Sequence, residues 1–106
     1  MPKYLVSVSY SAEGAKGLRQ DGGTKRREVA GHAVESVGGK MEAFYFALGD
    51  DDAYVIVDAP DYATIAAASI AINASGAVRT KTVALLSPED IDNAVKKTVN
   101  YRAPGH

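Results

Sequence analysis

Three consecutive aspartates, Asp50, Asp51 and Asp52, are the group of side chains in this sequence whose chemistry best suits a metal ion. Hard cations such as Ca²⁺ and Mg²⁺ bind carboxylate oxygens, but these usually come from spaced residues and backbone carbonyls that converge on one point. Consecutive side chains in a tight turn point in different directions, and aspartate is favoured in turns because it bonds its own backbone. We interpret the triplet as a turn and predict no metal site.

The two histidines offer the next candidates for chemistry. His32 lies between Glu28 and Glu35 at helical spacing, which could provide a general base with an orienting acid. It falls well off the apolar stripe of the same predicted helix, so a solvated position is favoured. His106 is the last residue of a segment without periodicity. No catalytic residue is therefore assigned, and the sequence leaves open whether the protein is an enzyme.

Arg26 is the residue best placed to bind an anion. If its helix begins near Thr24, Arg26 shares a face with Ala30 and approaches the covered side of the helix. The preceding Gly22-Gly23 would leave backbone N–H groups available at the helix start, and the two features together predict a modest anion or carboxylate site. In the alternative interpretation, Arg26 bonds a local carboxylate such as Asp21 or extends its guanidinium into water.

Polar side chains on predicted strands form a second candidate ligand site. The ligand-binding candidates there are Ser7, Ser9, Tyr45, Tyr54 and Arg79, with Lys81 and Asp58 at neighbouring strand positions. Such residues would line the lumen if the sheet closes into a barrel, and barrel mouths are common ligand locations. The alternative is structural, because tyrosines on strands often pack with a bonded hydroxyl and basic residues protect edge strands.

Composition narrows the classes of function. The chain has 106 residues, enough for one compact domain, which we place at 1–98 with a tail at 99–106. Acidic and basic residues number 13 and 12, so no overall field favours nucleic acid or an anionic membrane. No cofactor-binding motif is found, and no cofactor is predicted. The absence of cysteine and of an apolar leader predicts a cytoplasmic protein.

Hydrophobic periodicity predicts the order βαββαβ followed by one more helix. Apolar and polar residues alternate in the first segment and in the hairpin around Gly49, which predicts strands. The helices are predicted from apolar residues at helical spacing and from capping residues, and Ser87-Pro88 begins the last helix. The predicted elements are a strand over 4–10, a helix from about 24 to 37, a hairpin over 41–58, a helix over 61–75, a strand over 78–86 and a helix over 87–98. This is an α+β, ferredoxin-like layout with helices on one face of an antiparallel sheet.

The uncovered face of that sheet predicts an assembly. On the second strand, Phe44, Phe46 and Leu48 are expected on one side and Met41, Ala43, Tyr45 and Ala47 on the other, and neither set is polar enough to face water. Two such sheets closing on each other would form a dimeric α/β barrel with a lumen between subunits. The helix over 61–75 is apolar all round, so its outward Ile70 predicts a cover, which is another dimer in a larger homo-oligomer, the tail from Asn100 to His106, or both. The alternative is an alanine surface that faces solvent.

An ordered set of residues gives the chain a family resemblance. The set comprises Ser9 to Gly14, Gly38-Gly39-Lys40, Phe44-Tyr45-Phe46, Leu48-Gly49, Asp52, Val55 to Asp61, Ser75-Gly76 and the Thr80/Thr82 strand, and it resembles the GYD domain, a branch of the dimeric α/β-barrel superfamily. Asp51 stands where the signature of that family usually has tyrosine. The resemblance implies the fold and dimerisation, while related barrel families include cofactor-free monooxygenases and isomerases.

Three classes of function are compatible with these observations. The first is a small dimeric barrel protein that binds a small organic or anionic molecule in a pocket at the subunit interface. The second is a cofactor-independent monooxygenase or isomerase that uses the tyrosines and polar lumen residues. The third is a structural or assembly protein without catalysis. Convergent Tyr, Ser and Arg side chains in a pocket would favour binding or catalysis, whereas a filled lumen would favour assembly.

Overall fold

A computed structural model describes residues 1–106 and contains four strands and four helices. The strands pair antiparallel in the order β2-β3-β1-β4, which is the predicted ferredoxin-like α+β arrangement. The single chain does not close into a barrel. The elements are β1 (Lys3–Tyr10), α1 (Ala12–Asp21), α2 (Gly23–Ser36), β2 (Lys40–Phe46), β3 (Ala53–Asp58), α3 (Tyr62–Ala74), β4 (Val78–Leu85) and α4 (Pro88–Val95).

Helices α1, α2 and α3 lie over one face of the sheet, called here the covered face. Helix α2 packs on β2, α3 packs on β4, and α1 contacts α2 and β1. The core beneath them consists of small aliphatic side chains, namely Val8, Val34, Ala53, Val55, Val57 and Val78. Because cross-strand partners point to the same side of a sheet, the register places Leu5, Ser7, Tyr54 and Ile56 on the opposite, open face.

Local sequence explains where the predicted helices begin and end. The Asp61 carboxylate accepts the backbone N–H of Thr64 at 2.8 Å and caps α3 as predicted. Hydrogen bonding from that backbone N–H holds the pKa of Asp61 below its ordinary value. Just after the C-terminal end of α2, Gly38 has a φ of 88°, a left-handed conformation that glycine adopts without strain. These two signals depend on neighbouring residues alone.

Helix α1 was not predicted, because the segment between Tyr10 and Thr24 carries little apolar periodicity and two interior glycines. Ser11 caps the helix by accepting the N–H of Gly14, and its own N–H and hydroxyl both donate to the carbonyl of Ala77. A Cβ on Gly14 would lie 1.9 Å from that same carbonyl oxygen. The glycine therefore allows α1 to dock against the turn before β4, a contact that local periodicity cannot reveal.

The predicted faces of β2 are wrong at Met41. A register shift between Met41 and Ala43 leaves Met41 opposite Val57 and Ala43 opposite Ile56. One extra residue in one strand moves the preceding side chain to the other face. Met41 therefore joins Phe44 and Phe46 on the covered face, where its Cε would contact a Cβ added at Gly31. Ala43 and Tyr45 lie on the open face, as expected.

Helix α4 forms with the predicted caps but ends at Val95, three residues earlier than expected. Ser87 and Asp90 make a reciprocal capping box, and Pro88 occupies the first turn. Every residue from Lys81 onward is exposed. Strand β4 stays paired with β1 up to Leu85, whereas α4 and the tail extend from the folded body, and the whole chain measures 57 × 32 × 23 Å.

Candidate functional site

A cavity of about 120 Å³, partly open to solvent, lies between the covered face of the sheet and helices α2 and α3. Fourteen of its 17 lining residues are hydrophobic. Small side chains at Ala30, Ala33 and Ala68 leave the space, because they do not reach the sheet as longer side chains would. From the sheet the cavity is lined by Val6, Val8, Phe44, Val55, Val57 and Val78.

Arg26 supplies the positive charge at this cavity. It lies on α2 on the same face as Ala30 and Ala33, and it lines the cavity with them. Its Nη1 is 3.7 Å from Oδ2 of Asp21, so the guanidinium makes one loose ion pair and keeps its other N–H donors. The side chain thus combines both interpretations of the sequence, since it has a local carboxylate partner and also approaches the covered side. Its helix starts at Gly23 without a side-chain cap.

Tyr10 lies beside Arg26 at the same end of the cavity. Burial raises the pKa of the Tyr10 phenol, and the neighbouring Arg26 opposes that shift without cancelling it. The phenol is therefore neutral at physiological pH and can donate a hydrogen bond. Sequence analysis placed Tyr10 in the first strand without assigning it a role. Alternation alone does not distinguish a tyrosine that packs from one that borders a cavity.

Two side chains outside the cavity hold its polar residues in position. The Asp52 carboxylate accepts the backbone N–H of Tyr10 at 2.8 Å, and the Asp52 N–H donates to the carbonyl of Val8 at 2.8 Å. The Asn73 amide donates to the Thr80 hydroxyl at 2.7 Å and accepts the Thr80 N–H at 3.0 Å. Asn73 was not predicted, because its partner lies on the following strand.

The remaining predicted ligand residues lie on the open face, away from Arg26. Tyr45, Tyr54, Ser7 and Lys81 form one row across the four strands, and Ser9 pairs with Arg79. The structure thus separates the six candidates into two places. Arg26 lines the cavity, while Ser7, Ser9, Tyr45, Tyr54 and Arg79 share the uncovered side of the sheet.

Asp51 brings part of this open-face set together. Its carboxylate accepts hydrogen bonds from the hydroxyls of Ser9 at 3.2 Å and Tyr54 at 3.4 Å, and it lies 3.4 Å from Nζ of Lys81. Asp52 bonds the backbone of β1 instead, and Asp50 is exposed. The three aspartates therefore diverge, and nowhere do three histidine or carboxylate side chains converge in metal-binding geometry.

Comparison with protein families agrees with this architecture. The family model described as GYD domain matches residues 4–95, which span every strand and helix of the chain. The chain belongs to the GYD domain family. No curated protein matches the sequence. None of the helices has the length and apolar character needed to span a membrane.

Two neighbouring aspartates attach the hairpin connection to different parts of the sheet. Asp52 fixes it to the end of β1 through backbone hydrogen bonds. Asp51 makes the contacts to Ser9, Tyr54 and Lys81 on the open face.

A second concavity of this GYD domain, the terminal cleft, lies at the start of β1, at the opposite end of that strand from Tyr10. It has a volume of about 1170 Å³ and is open to solvent. Tyr4 is 2% exposed, its ring meets that of Tyr62 edge-to-face at 6.3 Å, and its hydroxyl has no hydrogen-bond partner. The cleft is bordered by residues 1–4, 60–62 and 84–88 and by Asp90.

The cavity between the sheet and helices α2 and α3, called the inner cavity from here on, has the chemical character of a binding site. No carboxylate or histidine side chain lines the inner cavity, so it has no general base for proton abstraction. Its polar groups are the Arg26 guanidinium, the Tyr10 phenol and the hydroxyls of Ser69 and Thr80, which can donate hydrogen bonds. An apolar volume with donors at the margin is suited to holding a small molecule in one orientation.

Proposed function

We propose that this GYD domain protein binds a small, mainly apolar organic molecule that carries one anionic group, in the cavity between the sheet and helices α2 and α3. The observation that carries the proposal is Arg26, a cation with unused donors on the wall of a mainly hydrophobic cavity. A guanidinium in such a setting matches a carboxylate by charge and geometry. The neutral Tyr10 phenol is a second donor.

Cavity size sets the class of ligand. A dry cavity of about 150 Å³ holds benzene, whereas pockets for drug-sized molecules measure roughly 300–1,000 Å³. The volume of about 120 Å³ therefore suits a monocyclic or short-chain organic acid. This location differs from the subunit-interface pocket of the sequence analysis, which stays a prediction for the open face.

Binding is preferred over catalysis for a physical reason. A cofactor-independent monooxygenase or isomerase needs a group that accepts a proton from its substrate. Tyr10 has a raised pKa, so its phenolate is disfavoured, and the cavity wall offers no other base. The catalytic alternative therefore lacks support among the residues that line this cavity.

The charge requirement is tested with benzoate and its neutral analogue benzamide by titration calorimetry. Arg26→Met, which keeps an aliphatic stem, is expected to weaken benzoate binding about 10–100-fold, because a charge-assisted hydrogen bond contributes about 1.5–3 kcal/mol. Benzamide binding should change little. The matched control is Arg27→Met, since Arg27 is exposed on the same helix and does not line the cavity.

A second variant tests the location. Ala30→Leu would fill part of the cavity and is expected to weaken both probes, whereas an open-face substitution such as Tyr45→Ala should affect neither. The proposal is wrong if the unmodified protein binds no benzoate, or if Arg26→Met and Arg27→Met bind it equally. Mass spectrometry of small molecules that co-purify with the protein would identify the natural ligand.

We further propose that two copies pair through the open face, as the sequence analysis expects. Leu5, Ala43 and Ile56 are half-buried there and Val83 is exposed, so the face carries apolar surface that a second sheet would cover. Light scattering at micromolar concentration should give a dimeric mass or a multiple of it. A monomeric mass would contradict the pairing.

The outer side of α3 is proposed as the contact for a larger homo-oligomer. Ile70 is 70% exposed, while Ile65 and Ile72 of the same helix line the inner cavity. Ile70→Glu is expected to reduce a larger assembly to dimers, because a charge cannot be buried unpaired at a helix contact. If the molar mass and the melting temperature stay unchanged, the outer side of α3 faces solvent and the proposed contact is wrong.

A further inference from the structure

Two hydroxyl side chains line the inner cavity on the side away from Arg26. Ser69 belongs to α3, which packs on β4, and Thr80 lies on β4 itself. Arg26 belongs to α2, which packs on β2. Strands β2 and β4 are the opposite edges of the sheet. The inner cavity therefore has a cationic side at Arg26 and a neutral polar side at Ser69 and Thr80, called here the hydroxyl pair.

The Asn73 amide fixes how the Thr80 hydroxyl can bond. Its nitrogen donates to the Ser69 carbonyl at 2.6 Å and to the Thr80 hydroxyl at 2.7 Å, and its oxygen accepts the Thr80 N–H at 3.0 Å. If the amide were turned over, its oxygen would face the Ser69 carbonyl and its N–H would face that of Thr80. Asn73 is therefore a positioning residue with one allowed orientation.

Both members of the hydroxyl pair keep a hydrogen that no protein group accepts. An amide N–H can only donate, so Thr80 Oγ1 is the acceptor in its bond with Asn73, and the Thr80 hydroxyl hydrogen stays free. Asn73 uses the carbonyl of Ser69, while the Ser69 hydroxyl makes no hydrogen bond within the chain. The attachment of α3 to β4 needs neither hydrogen. Two unused donors therefore border an apolar volume.

These donors favour one kind of ligand over another. Both side chains are half-buried, so water can reach their hydroxyls in the free protein. A hydrocarbon group that displaces this water would leave the hydroxyls unpaired, which costs free energy. An oxygen atom at the same place would accept their hydrogen bonds. The hydroxyl pair thus favours a ligand that presents a polar oxygen to it.

We propose that the hydroxyl pair is a second subsite of the inner cavity, which binds a hydroxyl or carbonyl oxygen of the ligand while Arg26 binds its anionic group. The ligand class then narrows from a small organic acid to a hydroxy- or oxo-substituted one. Benzoate engages Arg26 and lacks the second contact. This inference rests on the proposed function, because it takes the ligand to lie in the same cavity.

Matched pairs of substituted benzoates test the subsite by titration calorimetry. 4-Hydroxybenzoate is compared with 4-methylbenzoate, and 3-hydroxybenzoate with 3-methylbenzoate, which samples the ring positions away from the carboxylate. In a purely apolar cavity the methyl compounds would bind more tightly, because they bury more apolar surface. We expect the opposite order in at least one pair, with the hydroxyl compound bound about 3–10-fold more tightly. Equal affinities, or tighter methyl compounds in both pairs, would overturn the proposal.

Single substitutions locate the preference for the hydroxyl compound. Ser69→Ala removes a hydroxyl that bonds nothing in the chain, and it is expected to reduce the preference without loss of stability. Thr80→Val is expected to abolish the preference, whereas Thr80→Ser keeps the hydroxyl and should retain it. Thr82→Val is the matched control, since Thr82 is exposed on the same strand and does not line the cavity. A preference unchanged in both Ser69→Ala and Thr80→Val would overturn the proposal.

The outcomes separate the hydroxyl pair from the Arg26 site. If benzoate binding depends on Arg26 but the preference for hydroxyl compounds is absent, the subsite is wrong and the proposed function stands. If neither benzoate nor any substituted benzoate binds, both are wrong. Thr80→Val leaves an Asn73 N–H unpaired and is expected to lower stability. Should that variant not fold, an unchanged preference in Ser69→Ala overturns the proposal.

Discussion

The two faces of the sheet are built from alternate residues of the same strands, yet they have different environments. On the covered face, Val55 and Val57 are buried beneath α2 and α3. On the open face, Tyr54 is exposed and Ile56 is half-buried, and polar contacts centre on Asp51. Strand alternation therefore assigns residues to a side, but the elements beyond the strand decide whether that side becomes core, cavity or contact surface.

The sharpest way to break this comparison is to place the same charge on adjacent residues. Val57→Asp introduces a carboxylate at a position that is 3% exposed, among aliphatic neighbours, and should lower the free energy of unfolding by about 3–5 kcal/mol. Ile56→Asp should cost about 1 kcal/mol in the chain but separate the copies that pair through the open face and so halve the molar mass. Urea unfolding and light scattering measure the two effects. Similar results for both variants would contradict the assignment of faces.

Two glycines of α1 test how that helix reaches the covered side. In Gly14→Ala the new Cβ meets the carbonyl of Ala77, so the backbone must move, and a loss of about 1–3 kcal/mol in unfolding free energy is expected. Gly17 has open space around it, and Gly17→Ala should stabilise by up to about 1 kcal/mol through helix propensity. Thermal unfolding would decide. Equal effects would mean that α1 is not docked at Ala77.

The smallest expected effect is a loss of stability at alkaline pH, to which one titrating side chain on each face of the sheet contributes. Hydrogen bonds to Asp58 at 2.8 Å and to Glu42 raise the pKa of Lys3 on the open face, while burial raises the pKa of Tyr10 on the covered face. Both folded values lie above the unfolded ones of 10.5 and 10.0. The stability from each group is therefore fully present below its unfolded pKa and is lost as pH rises through the folded pKa.

Urea midpoints measured from about pH 8 to about pH 11 can separate the two groups. Tyr10→Phe should remove the part of the fall in urea midpoint that is due to Tyr10 on the covered face. Lys3→Met should remove the part that is due to Lys3 on the open face. Tyr4, whose pKa is also raised by burial, leaves a residual decline in both variants. A decline as steep in the double variant as in the unmodified protein would show that neither group titrates with folding.

Sequence patterns predicted what depends on local residues and missed what depends on distant ones. The cap at Asp61, the end of α2 at Gly38 and the ferredoxin-like order were all predicted, because each follows from neighbouring side chains. The docking of Gly14 on Ala77 was not, since 63 residues separate the two. The bulge beside Met41 was missed for a similar reason, because pairing with β3 defines it.

The candidate site shows the same limit. Helical spacing placed Arg26 toward the covered side, where it lines the cavity. No spacing rule could show that Tyr10 would lie beside it, or that Asn73 would hold Thr80 from the next element. A cavity is the volume left between elements after they pack, so its existence depends on side-chain sizes across several segments at once.

The hydrogen bonds of Asp52 bear on what membership of the GYD family can mean. Its carboxylate and N–H bond the backbone groups of Tyr10 and Val8. The Asp52 side chain does not line the inner cavity. Asp52 therefore serves the fold, and a chain of the same architecture could keep this attachment whatever molecule it binds. Ligand preference depends instead on the side chains that line the inner cavity, so family membership alone does not define the ligand.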